Sequence, residues 1–115
     1  MKYVLLIYQG EDYDPKALSA DEHKAVAVQY GRVTRTPNVR SGLPLGFTND
    51  AITVRVRDGK TETAPGPYVR HPGGTIGGYI EFEAETDEEA IRLASQIPAA
   101  NQGGAIEIRP SRVYW

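Results

Sequence analysis

The sequence contains no cysteine among its 115 residues, which excludes disulfide bonds, thiolate metal ligands and a cysteine nucleophile. Basic residues are not in excess: 13 Lys and Arg against 15 Asp and Glu give a formal charge of -2, so binding to nucleic acid is not expected. The longest apolar run, residues 4–7, is too short for a membrane span or a signal sequence. The composition therefore predicts one small cytoplasmic domain over residues 1–115, with no membrane partner.

Hydrophobic periodicity and turn signals divide the chain into strands, helices and two irregular connections. A helix is predicted after each of two capping boxes, the first from Ser19 to about Arg35 and the second from Thr86 to just before Pro98. Strands are predicted at residues 3–8, 51–57, 60–64, 79–84 and 105–109, the second and third joined at Asp58-Gly59. Residues 36–50 and the glycine-rich residues 65–78 are predicted to be irregular.

This order of elements favours a ferredoxin-like α+β fold with both helices on one face of the sheet. The residues predicted to face the helices are aliphatic or aromatic: Ile52, Val54, Val56, Ile80, Phe82, Ile106 and Ile108. The opposite face would carry one apolar set of side chains from the first strand, together with Tyr79 and mixed charges: Arg55, Arg57, Glu81, Glu83, Glu107 and Arg109. A second copy of the chain packed on that face would cover the apolar set, so a homodimer is predicted; a monomer with a partly solvated sheet is the alternative.

Several pieces of the chain, in the right order, resemble the YCII-related family in its DGPF-motif branch. They are MKYVLLIYQGE at the start, ITVRVRDGK in the hairpin, GPY at residues 66–68, GGYIEFE at 77–83, DEEAI at 87–91 and IPAANQGGAIEIRP at 97–110. The resemblance implies a dimeric α+β barrel. The wider superfamily includes small-molecule isomerases, muconolactone dehalogenases and monooxygenases that work without a tightly bound cofactor, and some DGPF relatives lie beside sigma-factor genes, which implies a regulatory role.

The chain departs from the family motif Asp-Gly-Pro-Phe at two positions. Pro65 stands where the family has its aspartate, and Tyr68 stands at the phenylalanine position. The charged residues that usually follow are replaced by Arg70, His71 and Pro72. The carboxylate proposed for the family site is therefore missing, and acid–base chemistry that depends on it does not carry over to this chain.

Candidate chemistry centres on His71, because imidazole titrates near neutral pH and can act as acid or base. Arg70 and Arg55 are candidate clamps for an anionic ligand, and tyrosines are candidate pocket walls: Tyr8, Tyr30, Tyr68 and Tyr79. His23, on the predicted apolar stripe of the first helix, is a further binding candidate. For each of these residues an ordinary structural role is the alternative: an exposed loop histidine, or a tyrosine packed in the core.

Other motifs indicate structure and not chemistry. The glycine pairs at residues 73–74 and 77–78 lack the Lys-Ser/Thr pair of a P-loop and precede a strand. Glu81 and Glu83 share a strand face, where ion pairing is favoured over a general-acid pair. The two histidines have no metal-site spacing, so neither a metal nor another cofactor is expected.

Three functions remain open from the sequence. The first is a homodimer that binds a small aromatic or carboxylated molecule between sheet and helices, with proton-transfer chemistry of the isomerase, cyclase or lyase type at His71. The second is a non-catalytic ligand-binding or regulatory dimer that lacks the family aspartate. The third is an interaction module that works through the acidic loop at residues 11–14.

Overall fold

The computed structural model describes residues 1–70 and 74–115. Its elements, in chain order, are β1 (Lys2–Gly10), α1 (Ala20–Thr34), β2 (Val39–Pro44), β3 (Ile52–Arg57), β4 (Lys60–Pro65), β5 (Gly74–Glu83), α2 (Asp87–Ala94) and β6 (Ala105–Pro110). Short 3-10 turns lie at Pro15–Ala17, Thr48–Asp50 and Pro98–Asn101.

Four strands form an antiparallel sheet in the order β2-β5-β1-β6, whereas β3 and β4 form a separate two-stranded ribbon. The sheet strands and the two helices follow the ferredoxin-like plan, which confirms the predicted α+β fold. The ribbon is an insertion between the second and third strands of that plan. The hairpin was expected to belong to the main sheet, and that part of the prediction is wrong.

The second sheet strand, β2, lies in the segment expected to be irregular. Its sequence, VRSGLP, shows no alternation, and it is extended because it pairs with β5, where Leu43 lies opposite Tyr79. Gly78 allows this approach, since a Cβ there would lie 2.9 Å from the Leu43 carbonyl oxygen. Pairing to a distant strand, which no local pattern encodes, therefore decides the conformation of residues 39–44.

The core lies between the sheet and the helices, as predicted. Alternate residues of β1 face it, and Leu5 is fully buried against a set from the other elements: Val33, Ile80, Phe82, Ala90, Leu93 and Ile97. Ile106 and Ile108 pack against this core while partly exposed. Side chains of this kind contribute roughly 1.5–3 kcal/mol each when fully buried.

Three aliphatic residues expected in that core are exposed instead. Ile52, Val54 and Val56 are 74%, 58% and 66% exposed, because β3 belongs to the ribbon and not to the sheet. Alternation of apolar and polar residues shows that a strand has one apolar face, but it does not show what covers that face.

Both helices begin where the capping residues predict. The Ser19 hydroxyl accepts a hydrogen bond from the Glu22 N–H, and the Glu22 carboxylate accepts one from the Ser19 N–H, at 3.1 Å each. At α2 the Thr86 hydroxyl accepts from the Glu89 N–H, but the Glu89 carboxylate accepts from Glu85, one residue before the cap. The capping box of α1 is therefore complete. In α2 only one of the two capping-box bonds forms, the one that the Thr86 hydroxyl accepts.

The sheet face away from the helices carries the other alternate residues of β1. Val4, Leu6 and Tyr8 are half-buried there, and Leu6 lies between Tyr79 and Glu107 of the neighbouring strands. We call this the outer face. It has the apolar first-strand set that the sequence predicts, but the expected arginines, Arg55 and Arg57, lie on the ribbon.

Candidate functional site

A cavity of about 720 Å³ lies at the root of the ribbon. Its lining comes from the connection between β2 and β3, the segment after β4 and the first residues of β5: Leu45, Gly46, Phe47, Thr48, Asp50, Ala51, Pro67, Tyr68, Val69, Arg70, Gly74, Thr75 and Ile76. We call it the root cavity. No residue of α1 or α2 lines it, so it is not the cleft between sheet and helices that was expected to hold a ligand.

Backbone hydrogen bonds hold the segments that form the root cavity. The Gly66 N–H donates to the Ala51 carbonyl at 2.8 Å, and the Thr53 hydroxyl donates to the Gly66 carbonyl at 2.8 Å. Through these two bonds Gly66, which lies just before Tyr68 in the chain, is attached to the beginning of β3. The Leu45 N–H donates to the Gly77 carbonyl at 3.0 Å, which ties the opposite wall to β5.

The root cavity combines apolar walls with one charge of each sign. Phe47 and Tyr68, 69% and 68% exposed, supply aromatic surface, while Arg70 and Asp50 supply a guanidinium and a carboxylate. Neither charged group forms an ion pair with any residue that the structure describes. The arginine offers the planar pair of N–H donors that matches a carboxylate.

A second cavity of about 620 Å³ runs along β3 and shares Ala51, Pro67 and Tyr68 with the root cavity. The Arg55 guanidinium lies 5.5 Å from the centroid of the Tyr68 ring, within the range of a cation–π contact. The structure thus brings together three of the predicted binding residues, Arg55, Tyr68 and Arg70, around one stretch of chain.

The other predicted tyrosines lie elsewhere. Tyr8 and Tyr79 are half-buried on the outer face; Tyr8 pairs with Ile76, a root-cavity residue. Tyr30 lies on α1 against the core, where burial raises the pKa of its hydroxyl, an effect that the side-chain hydrogen bond with Gln9 opposes. None of these three tyrosines is among the residues that line the root cavity.

The two histidines have different outcomes. His23 is exposed on α1, although helical spacing places it on the same face as Val26, Tyr30 and Val33. It therefore lies on the predicted stripe, but beyond the part of it that is buried. His71 lies outside the described residues, although Arg70 and Gly74, which precede and follow residues 71–73, both line the root cavity.

The wall formed by Leu45, Phe47 and Asp50 was not predicted from the sequence. A signal for it was present, since Phe47 is one of only two phenylalanines and stands in a polar connection where no core position was predicted. Large exposed apolar side chains in such a segment are typical of binding surfaces.

The acidic loop lines a third cavity, of about 500 Å³, at the end of β1. Glu11, Asp12 and Asp14 contribute to it together with Tyr13. Among residues 1–70 and 74–115 no three or more histidines and carboxylates are grouped as metal ligands. In the same part of the chain, no helix has the length and apolar character needed to cross a membrane.

Comparison with known proteins shows to which family the chain belongs. A comparison with curated proteins found no match. The family model for the YCII-related domain matches residues 1–113, nearly the whole chain, and the order of strands and helices agrees with it. The chain therefore belongs to the YCII-related domain family.

Proposed function

We propose that the protein is a homodimer that binds a small aromatic or carboxylated molecule in the root cavity. The observation that carries the proposal is the position of Arg70, a cation with no ion-pair partner among the described residues, in a cavity walled by Phe47 and Tyr68. A carboxylate on the ligand would accept from the guanidinium, and an aromatic or other apolar body would contact the two rings.

The volume of the root cavity supports a ligand of metabolite size. About 720 Å³ lies within the range of roughly 300–1,000 Å³ that small-molecule sites occupy. Thr48 and Thr75 add hydroxyl groups to the lining, and Asp50 adds an acceptor for a hydroxyl or amine of the ligand. The site thus favours a molecule with an anionic end, an apolar body and a hydrogen-bond donor.

The surface of the chain supports the dimer. Its accessible surface is 8373 Å², whereas a folded monomer of this mass exposes about 6,200 Å². Its radius of gyration is 16.0 Å, against about 13 Å for a folded domain of this length. The difference in area, roughly 2,200 Å², exceeds the ~800 Å² that each partner contributes to a standard interface. Val4, Leu6 and Tyr8 are half-buried on the outer face, where a partner would cover them.

Ligand binding is tested by thermal shift and calorimetry with benzoate and phenylacetate, and with benzyl alcohol as a neutral control. We expect the carboxylates to raise the melting temperature more than the alcohol does. Arg70→Gln should weaken carboxylate binding roughly tenfold to a hundredfold, since a hydrogen bond to a charged group contributes about 1.5–3 kcal/mol. Arg92→Gln, on the exposed side of α2, is the matched control. Equal binding by the Arg70 and Arg92 variants would contradict the proposal.

The dimer is tested by sedimentation velocity. The unmodified chain should sediment at twice its chain mass of 12.6 kDa. Leu6→Asp, at the centre of the outer face, should dissociate it, because a charge would be buried without a partner. Val28→Asp, which replaces an exposed aliphatic residue of α1, should leave the mass unchanged. A monomer at working concentrations would contradict the dimer.

A catalytic role is a second candidate, and it rests on His71. The described residues on either side of the segment that contains His71 line the root cavity, and a histidine at that position is suited to move a proton to or from carbon. The competing alternative is a non-catalytic or regulatory dimer, which the proline at position 65 favours, since the family aspartate is absent.

Proton transfer is tested with phenylpyruvate, an aromatic carboxylate with an acidic C–H bond, by following deuterium exchange from D₂O with NMR. Catalysis predicts exchange above the uncatalysed rate, and loss of that excess in His71→Gln with binding retained. Binding without excess exchange, unchanged in His71→Gln, would support the non-catalytic alternative.

A further inference from the structure

The ribbon formed by β3 and β4 has two chemically different faces. Its charged side chains lie on one face: Arg55, Arg57, Lys60 and Glu62, of which Arg57 and Glu62 form an ion pair at 3.7 Å. The other face is uncharged, since Ile52 pairs with Pro65, Val54 with Thr63 and Val56 with Thr61. We call this the uncharged ribbon face.

The uncharged ribbon face is left largely exposed by the part of its own chain that the structure describes. Its three aliphatic residues are more than half exposed, and neither strand of the ribbon is hydrogen-bonded to the main sheet. A two-stranded ribbon by itself is marginally stable in water and needs packing against another surface. We therefore expect the uncharged ribbon face to pack against another apolar surface.

The chain carries a second uncovered apolar feature in the tail after β6. Val113, Tyr114 and Trp115 are 76%, 90% and 89% exposed. The rings of Tyr114 and Trp115 form an edge-to-face pair with centroids 5.0 Å apart. This pair is a preformed aromatic unit with two polar hydrogens, a hydroxyl and an indole N–H, that suit a surface with threonine hydroxyls beside aliphatic groups.

The tail and the ribbon of one chain lie at opposite ends of the sheet. The tail leaves where β1 begins, since the Ser111 N–H donates to the Lys2 carbonyl at 2.8 Å. The ribbon root lies where β1 ends, beside the start of β5. The nine residues of β1 span roughly 27 Å, whereas the five residues of the tail reach at most about 18 Å. The tail therefore cannot reach the root of its own ribbon.

We propose that, in the dimer, the Tyr114–Trp115 pair of each chain packs on the uncharged ribbon face of the other chain. In a two-fold symmetric dimer the two β1 strands can run in opposite directions, so that the beginning of one β1 lies beside the end of the other. The two tail-to-ribbon contacts, one from each chain, then form together. The roughly 2,200 Å² of surface beyond that of a folded monomer is enough for this contact in addition to that of the outer face. The inference rests on the proposed dimer.

The contact would also complete the ligand site. The cavity along β3, lined by Ile52, Val54 and Val56, shares Tyr68 with the root cavity. An aromatic pair from the partner, packed on the uncharged ribbon face, would add a wall beside Tyr68. Each ligand site would then contain residues of both chains.

Trp115 is the only tryptophan in the chain, so its fluorescence reports this contact alone. We expect blue-shifted emission and protection from acrylamide quenching at concentrations where sedimentation shows the dimer, and loss of both on dilution to monomer. Contact within one chain predicts no dependence on concentration, which would overturn the proposal.

Val54→Asp should shift the emission to the red and restore quenching, and Val54→Thr, which keeps the side-chain shape and the β preference, should do so more weakly. Val28→Asp is the control for an added surface carboxylate. A stable dimer with a fully quenchable Trp115 would overturn this inference and leave the proposed dimer intact. The absence of a dimer would overturn both.

Discussion

The Tyr3 hydroxyl donates a 2.5 Å hydrogen bond to the Asp87 carboxylate, 84 residues along the chain. Tyr3 lies in β1 and Asp87 in the first turn of α2, so the bond joins the sheet to a helix at a point where the tyrosine ring is buried. We expect Tyr3→Phe to lower the melting temperature by a few degrees, since one hydrogen bond to a charged group is lost while the ring packing is kept. Tyr13→Phe, which removes a hydroxyl that forms no hydrogen bond with a described residue, is the control for thermal unfolding.

The same bond predicts how stability depends on alkaline pH. The hydrogen bond to Asp87, together with burial, raises the pKa of Tyr3 above 10.0. Above about pH 10 the folded state therefore holds a proton that the unfolded state releases. The stability that the Tyr3 hydroxyl contributes is full below that pH and is lost as the pH rises through the folded pKa. Between pH 9 and 11 the free energy of unfolding, measured with urea, should fall less steeply for Tyr3→Phe than for the unmodified chain. Parallel curves would contradict this assignment.

The cap of α1 predicts the response to acid. Hydrogen bonds from the backbone and side chain of Ser19 lower the pKa of Glu22 below 4.5. Its stabilising effect is full above the unfolded pKa and is lost as the pH falls through the folded value. Glu22→Gln should therefore reduce stability at pH 7 and have little effect at pH 3. Circular dichroism of urea unfolding at the two pH values measures this difference.

The Ser19 hydroxyl also caps the helix directly, as an acceptor for a backbone N–H. Ser19→Ala removes the acceptor for the Glu22 N–H and should cost about 1 kcal/mol of unfolding free energy. Ser111→Ala, in the exposed tail, should change it by less than about 0.5 kcal/mol. Equal losses in both variants would show that the cap contributes nothing.

Two adjacent glycines before β6 should differ sharply. A Cβ at Gly104 would overlap the Tyr8 carbonyl oxygen, whereas one at Gly103 would meet open space but at a φ of +82°. Gly104→Ala should thus cost at least about 2 kcal/mol through displaced backbone, and Gly103→Ala about 1 kcal/mol through the left-handed conformation. Chemical denaturation of both variants measures the two losses in unfolding free energy. A larger loss for Gly103→Ala than for Gly104→Ala would contradict the geometry.

The elements that could be predicted from the sequence are those with local signals. β1, α1, α2 and β6 carry a continuous apolar run, capping residues or alternation, and these settle conformation within a few residues of the chain. β2 could not be predicted, because its extended form depends on pairing with β5. The ribbon was predicted as a hairpin, with Asp58 and Gly59 both at positive φ as its turn requires, but its place outside the main sheet is not encoded in its alternation.

The site could be predicted in part for the same reason. Tyr68 was singled out as an aromatic residue at the last position of the family motif, and Arg70 and Arg55 as cations that could hold an anionic ligand. Phe47 and Asp50 were missed because they reach the root cavity through the path of the connection after β2, which depends on the Leu45 to Gly77 hydrogen bond. Tyr30 and Tyr79 have the same chemistry as Tyr68 but lie elsewhere, so residue type alone did not separate them.

The insertion of the ribbon between two sheet strands separates the part of the chain that forms the core from the part that lines the proposed ligand site. The core residues, such as Leu5 and Val33, lie on the helix side of the sheet, while the root cavity is lined by the segments that flank the ribbon. We expect substitutions in those segments to alter the selectivity of the proposed site with little loss of stability. A library confined to residues 45–50 and 67–70 is therefore a practical starting point for engineering new recognition on this scaffold.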